Sequence, residues 1–174
     1  MALYNESTGE RYAKVHYEKF SKRPSRIGFL KIGLPILTFH ELSLTLDASQ
    51  ANAKSLLSTI EKAANSHSAR YLFGENVTVM ITDGKRNPIR LRASKAKFHK
   101  EGLRLFGGVE LSLPGEKLPF RCESLYLKAE QETNSLLVIT SRGVELDKIQ
   151  LGQKSQALVG AGPAAKENSS QIRQ

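Results

Sequence analysis

The stretch Leu91-Arg92-Ala93-Ser94-Lys95-Ala96, followed by Leu103-Arg104-Leu105-Phe106-Gly107-Gly108-Val109, decides the fold. It joins a small-residue step to a glycine and a valine that open a strand. A looser copy precedes it, with Leu46-Asp47-Ala48-Ser49-Gln50-Ala51 leading to Tyr71-Leu72-Phe73-Gly74 and Val77. A third follows, from Phe120-Arg121-Cys122-Glu123-Ser124-Leu125 to Gly143-Val144. Two-strand units of this kind cannot each bury an apolar face alone, so their repetition predicts a rolled, mainly antiparallel β structure around one shared interior. Such a body suits carrying or scaffolding better than catalysis.

Outward from this stretch the periods alternate. Leu42, Leu44 and Leu46 interleave with Ser43, Thr45 and Asp47, the pattern of a half-buried strand. From Ala51 to Ala64 the period becomes helical, with Ala53, Leu56, Leu57, Ile60, Ala63 and Ala64 on one face and Ser49 as the candidate cap. Strands are predicted again at 71–82 and 89–98, separated by the turn chemistry of Asp83-Gly84 and Asn87-Pro88. In the next segment Leu103, Leu105, Val109, Leu111 and Leu113 occupy odd positions, and Gly107-Gly108 predicts a bulge that lets the sheet curve. Pro114-Gly115-Glu116-Lys117 reads as a hairpin turn. The last predicted strands cover 120–129 and 135–146. The chain thus divides into a basic N-terminal arm with a short apolar stub over 1–40, a β domain over 41–152, and a disordered tail over 153–174.

Lys and Arg total 26 against 17 Asp and Glu, a formal net charge of +9 that favours anionic partners. Residues 1–40 hold seven basic and three acidic side chains, so much of the basicity belongs to the arm. Its cations are Arg11, Lys14, Lys19, Lys22, Arg23, Arg26 and Lys31, and they point to attachment on a membrane surface. The apolar run 27–39 contains Lys31 and Pro35, whereas a spanning helix needs roughly 20 apolar residues. It also lacks the small-x-small cleavage site of a signal peptide.

Reaction chemistry is sparse. His16, His40, His67 and His99 are scattered, with no cysteine or paired carboxylate at metal-ligand spacing, and no cofactor motif is found. Cys122 with His99 as base defines a hydrolase reading, weighed against a buried packing role at the place Ala48 and Ala93 hold in the other copies. Arg70, Lys85, Arg86, Arg90, Arg92, Lys95, Lys97, Lys100 and Arg104 crowd one short span. They fit nucleic acid, a phosphate-bearing lipid held at a groove rim, or a solvated polar face.

The segment from Leu91 to Leu127 resembles the OstA-like β-jelly-roll repeat of lipopolysaccharide transport proteins. The resemblance rests on Ala93-x-x-Ala96, Phe98, Leu105-Phe106-Gly107-Gly108-Val109 and Phe120-x-Cys122-x-x-Leu125. The run from Arg26 to Ile36 is similar to the basic lead-in of the inner-membrane-anchored LptC-type member. The resemblance implies a non-enzymatic β-jelly roll that takes lipopolysaccharide acyl chains into an apolar groove. It implies transfer between an inner-membrane transporter and a periplasmic bridge, at the periplasmic side of the inner membrane, with rolls joined to other lipopolysaccharide transport proteins by strand-edge pairing. Alternation then assigns the groove to Leu91, Ala93, Leu103, Leu105, Val109, Leu111, Leu113, Phe120, Leu125 and Leu127. Because the apolar run stops at Phe39, attachment is expected to be peripheral. The alternative function is a basic β domain binding nucleic acid.

Overall fold

A computed structural model describes residues 2–4, 9–24, 26–27, 30–31, 35–66, 71–82 and 88–152. The expected tail at 153–174, the turn at 83–87 and the side chains of Arg26, Lys31, Ala63, Ala64, His67 and Arg70 lie outside the described residues.

The protein is mainly β. Its strands are β1 (Ala2–Tyr4), β2 (Arg11–His16), β3 (Lys19–Arg23), β4 (Arg26–Ile27), β5 (Leu30–Lys31), β6 (Ile36–His40) and β7 (Ser43–Asp47). After helix α1 (Ala53–Ser66) come β8 (Tyr71–Thr82), β9 (Ile89–His99), β10 (Gly102–Ser112), β11 (Phe120–Glu130), β12 (Ser135–Thr140) and β13 (Glu145–Gln150). Eleven strands form one sheet that does not close, and β4 and β5 form a separate two-stranded pair. From β8 to β13 the chain is an antiparallel meander. Before it, β2 and β3 run antiparallel to β7 and β6 as one long bent hairpin. That hairpin docks on β8 in parallel, β6 along its first half and β7 along its second. The parallel join requires a crossover, which α1 supplies.

The described residues between 11 and 40 therefore do not form an arm separate from the sheet, apart from the β4–β5 pair. Tyr12 and Leu37 are buried, and β2, β3 and β6 are strands of the main sheet. Two causes hide this in the sequence. The strands are short with exposed cations on the outward positions, and Tyr12 is the extra residue of a bulge between the pairs Leu3–Ala13 and Tyr4–Arg11, which breaks the alternation.

The repeated sequence step has a structural meaning. Buried positions along β8 run Leu72, Gly74, then Val77, Val79 and Ile81, a step of three in a period-two strand. The same step separates Ala93 from Ala96 in β9, Cys122 from Leu125 in β11, and Phe39 from Leu42 at the β6–β7 joint. In β10 the step is four, because Gly107-Gly108 adds a residue that shifts register against both neighbours. A side chain can return to the inner face after an odd step only if the backbone kinks. Backbone φ is positive at Glu41 (52°), Asn76 (50°), Gly107 (78°) and Gly108 (80°). Register places His40 beside Glu75, Glu75 beside Lys95, Lys95 beside Phe106 and Phe106 beside Ser124. The kinks thus align as one crease across five strand positions. Asn76 Nδ2 donates to Glu41 Oε1 at 2.6 Å, and Ser94 Oγ donates to the Gly107 carbonyl at 2.6 Å, so side chains stitch it.

Curling brings the sheet's far end back to the β7–α1 turn. Gly152 N donates to the Ala48 carbonyl at 2.8 Å, while Ala48 N donates to the Thr82 carbonyl at 2.7 Å. Asn134, with φ of 47°, accepts from Ala53 N at 2.9 Å and donates from Nδ2 to the Leu151 carbonyl at 3.0 Å. The result is the main apolar core, shared by residues from Tyr12 to Leu151, and Leu37 and Leu72 form a second small cluster bridged to it by Phe39 and Phe98.

Three further expectations are corrected. The helix is capped by Asn52, whose Oδ1 accepts from Ser55 N at 2.7 Å, whereas Ser49 donates to Asp47 Oδ1. The strand expected at 135–146 is two strands, because a turn at 141–144 intervenes, closed by Gly143 N to the Thr140 carbonyl. Gly143-Val144 is consequently a turn with Val144 exposed, not a strand opening into the core.

Candidate functional site

Inside the roll lies a partly open cavity of about 180 Å³. One wall is the N-terminal hairpin, through Leu3, Ala13, Val15, Leu44 and Leu46. A second is α1, through Leu56, Thr59 and Ile60, and the third is the meander, through Leu72, Phe98, Leu103, Leu127 and Leu136. Helix α1 presents these residues because its apolar side chains recur every three or four positions, and Tyr12 ties it to β2. The Tyr12 hydroxyl donates to the Ser55 carbonyl at 3.3 Å and lies 2.7 Å from Thr59 Oγ1. A space of this size with such a lining is suited to an alkyl segment or a flat apolar ring, because an apolar cavity of about 150 Å³ stays dry and takes benzene.

Of the sequence-assigned groove residues, Leu103 and Leu127 line the cavity. Leu91, Ala93, Leu105, Val109, Leu111 and Leu125 are buried within the core beside it. Leu113 is half-buried against that core, and Phe120 is 42% exposed. Phe120 lies opposite Leu111 on the inner side, but β12 pairs only with residues 125–130 of β11, so among the described residues no strand flanks it on that edge. The sequence reading missed Leu3, Ala13, Val15 and Leu72. The alternation of Leu44 with Leu46 and the helical face of Leu56 and Ile60 were visible signals, yet periodicity marks a side as apolar without saying whether the space beyond it is filled.

The outer face has the opposite character. Register sets Phe73, Lys97, Arg104 and Tyr126 side by side across four strands, with Lys95 and Phe106 adjacent at the crease. Lys97 Nζ sits 5.9 Å from the Phe73 ring centroid. Further along, Arg92 lies between Thr78 and Glu110, and Glu110 pairs with Arg121 at 2.7 Å. These cations point away from the cavity, so a phosphate on a lipid whose chain lies inside would not meet them at a rim. Of the N-terminal cations, Lys14, Lys19 and Arg23 share this outer face. Lys22 lies opposite Leu37 on the inner side of edge strand β3, and Arg11 is exposed at the start of β2.

Two polar clusters were not foreseen. His40 Nδ1 is 2.8 Å from Glu75 Oε2, and its Nε2 is 3.0 Å from Ser21 Oγ. This has the order of a nucleophile, base and carboxylate. It lies on the outer face across edge strand β3 and its neighbours β6 and β8, on the opposite side of the sheet from the cavity, and what it does there is fasten these three strands together. At the β9–β10 hairpin the His99 ring meets Tyr126 edge-on at 5.9 Å. Its Nε2 is buried without a hydrogen-bond partner among the described residues. Burial, and then the neighbouring charges of Lys97 and Arg104, hold the His99 pKa below its ordinary value, against a smaller opposing pull from Glu101.

Cys122 is half-buried, and burial followed by the charge of Glu123 pushes its thiol pKa up, away from the thiolate. Its Sγ donates to the Ser124 carbonyl at 3.4 Å. His99 is level with Gly102 and hence with Lys128, six residues along β11 from Cys122. At about 3.3 Å per residue that is roughly 20 Å, too far for a nucleophile–base pair. Among the described residues, no group of three or more His, Cys, Asp or Glu converges as metal ligands would, and no helix is long and apolar enough to cross a membrane.

Compared with protein-family models, curated proteins and solved structures, the chain matches none.

Proposed function

We propose that this protein is a non-enzymatic carrier in lipopolysaccharide transport. It holds an acyl chain in the apolar interior of its rolled sheet and passes it between an inner-membrane transporter and a periplasmic bridge. The observation that carries this reading is the cavity of about 180 Å³ with apolar walls on three sides. The order of the Ala-x-x-Ala, Gly-Gly-Val and Cys-x-x-Leu steps supports it. A benzene-sized volume accepts roughly six carbons, and at about 0.8 kcal/mol per buried methylene that is about 5 kcal/mol before ordering costs. Such a gross gain corresponds to a dissociation constant of roughly 0.2 mM. Ordering costs subtract from that gain, so one chain end is held no more tightly than this, which suits a protein that must release its cargo.

A photo-crosslinking residue at Leu103 or Leu127 tests the proposal. It should capture lipopolysaccharide, and capture should survive rising salt, since apolar burial is not screened as phosphate contacts are. The same probe at exposed Val144 should capture none. Capture of RNA or DNA with no lipid would overturn the proposal in favour of nucleic-acid binding.

A further inference from the structure

We propose that the outer face of the sheet is a docking surface for an anionic lipid bilayer. The sequence holds two basic clusters far apart, one in residues 11–31 and one in residues 90–104. The fold merges them. Lys14, Lys19 and Arg23 come from the bent hairpin, and Arg90, Arg92, Lys95, Lys97 and Arg104 from β9 and β10, all on the side away from the core. The acids interspersed with them are already engaged, Glu75 with His40 and Glu110 with Arg121. Arg90, Arg92, Lys95 and Arg104 form no ion pair among the described residues, since Glu75 and Glu110, the acids that register sets beside Lys95 and Arg92, turn to His40 and Arg121 instead.

The layout selects the occupant. From Arg90 to Lys97 the patch runs seven residues along β9, roughly 23 Å, and from β2 to β10 it crosses four strand spacings, roughly 19 Å. The charges therefore spread about equally in two dimensions over the outer face of the sheet. A single nucleic-acid strand is tracked by a line of cations in a groove with rings along it. A plane of headgroups matches a two-dimensional scatter. Half-buried Phe73, Phe106 and Tyr126 among the cations add rings at the depth where aromatics favour a membrane interface. Docking of this kind is independent of what the cavity holds.

The test is flotation of the full chain with vesicles of phosphatidylcholine alone or mixed with phosphatidylglycerol. Binding is expected only to the mixed vesicles and should fade with rising salt. Each cation removed should weaken binding about five-fold. The variant carrying Arg90→Gln, Arg92→Gln, Lys95→Gln and Arg104→Gln should therefore lose on the order of several-hundred-fold. If thermal melts show that this variant does not fold, the single variants Arg92→Gln and Arg104→Gln take its place. Lys14→Gln with Lys19→Gln should weaken binding as well, because the face is one surface. Equal binding to both vesicle types would overturn the proposal, as would unchanged binding by the β9–β10 variants or binding of an oligonucleotide but not of vesicles. Crosslinking at Leu127 is the control that separates the two proposals: a variant that loses vesicles while still capturing lipopolysaccharide supports this face and leaves the cavity reading intact.

Discussion

At Gly102 the backbone has φ of +151°, and an added Cβ would lie 1.9 Å from the Leu127 carbonyl oxygen. Backbone cannot yield as a side-chain tip can, so Gly102→Ala should destabilise the fold by about 3 kcal/mol or more, measured as a fall in the urea midpoint. A Cβ at Gly74 would instead meet Leu42 Cδ2 at 2.6 Å. That methyl end can move, and Gly74→Ala should cost only about 1–3 kcal/mol. His99 gives a prediction in pH. In the unfolded chain it ionises near 6.5, and in the fold its value is lower. Between those two values the unfolded state takes up a proton that the folded state refuses. Stability is therefore full above about pH 6.5 and declines as pH falls toward the folded value, below which both forms are protonated and the loss is complete. Denaturant titrations across that range should show the decline, and His99→Gln should flatten it. None of this could be read from the sequence, where His99 is one of four scattered histidines and Gly102 belongs to no motif.

Among the elements, β8 to β11 were legible because each alternates cleanly on either side of its kink, and β8 runs 71–82 as expected, whereas β12 and β13 were read as one strand across the turn that separates them. Of the hairpin strands only β7 was legible, through the alternation of Leu42, Leu44 and Leu46; β2, β3 and β6 were not, because a bulge at Tyr12 and the step at His40-Glu41 break their period within five or six residues. The helix was legible by period but not by cap. Asn52 and Ser49 are equally good capping residues, and only the engagement of Ser49 with Asp47 decides between them. Asn52→Ala should accordingly cost about 1 kcal/mol, and Ser49→Ala less. Asn134 is a sharper case, since its side chain bonds both the helix start and the last strand while its backbone is left-handed. Asn134→Ala loses the bonds and adds about 1–2 kcal/mol of backbone strain. Asn134→Gly loses the bonds alone, so equilibrium unfolding should rank the alanine variant below the glycine variant.

Across the whole molecule, class and handling of the apolar surface were visible, but the division between core and cavity was not. Leu105 and Leu103 look alike in sequence, and only the distance to the opposite wall makes the first core and the second lining. That wall comes from the hairpin and α1, more than thirty residues upstream. The wall is also incomplete until the last strand is in place. The Gly152–Ala48 and Asn134–Leu151 bonds tie the residues just past β13 to the β7–α1 turn and to the turn before β12. A chain ending at residue 144 should lack cooperative thermal unfolding, because Ile149 and Leu151 are buried members of the core.

The Gly152–Ala48 bond also orders events in time. A chain emerging from its N-terminus makes the hairpin, the helix and most of the meander before residue 152 exists to meet Ala48. Until then the trough stands open, with strand edges and leucines facing water. Contacts this distant in sequence form slowly, and half-finished sheets of this kind stick to one another.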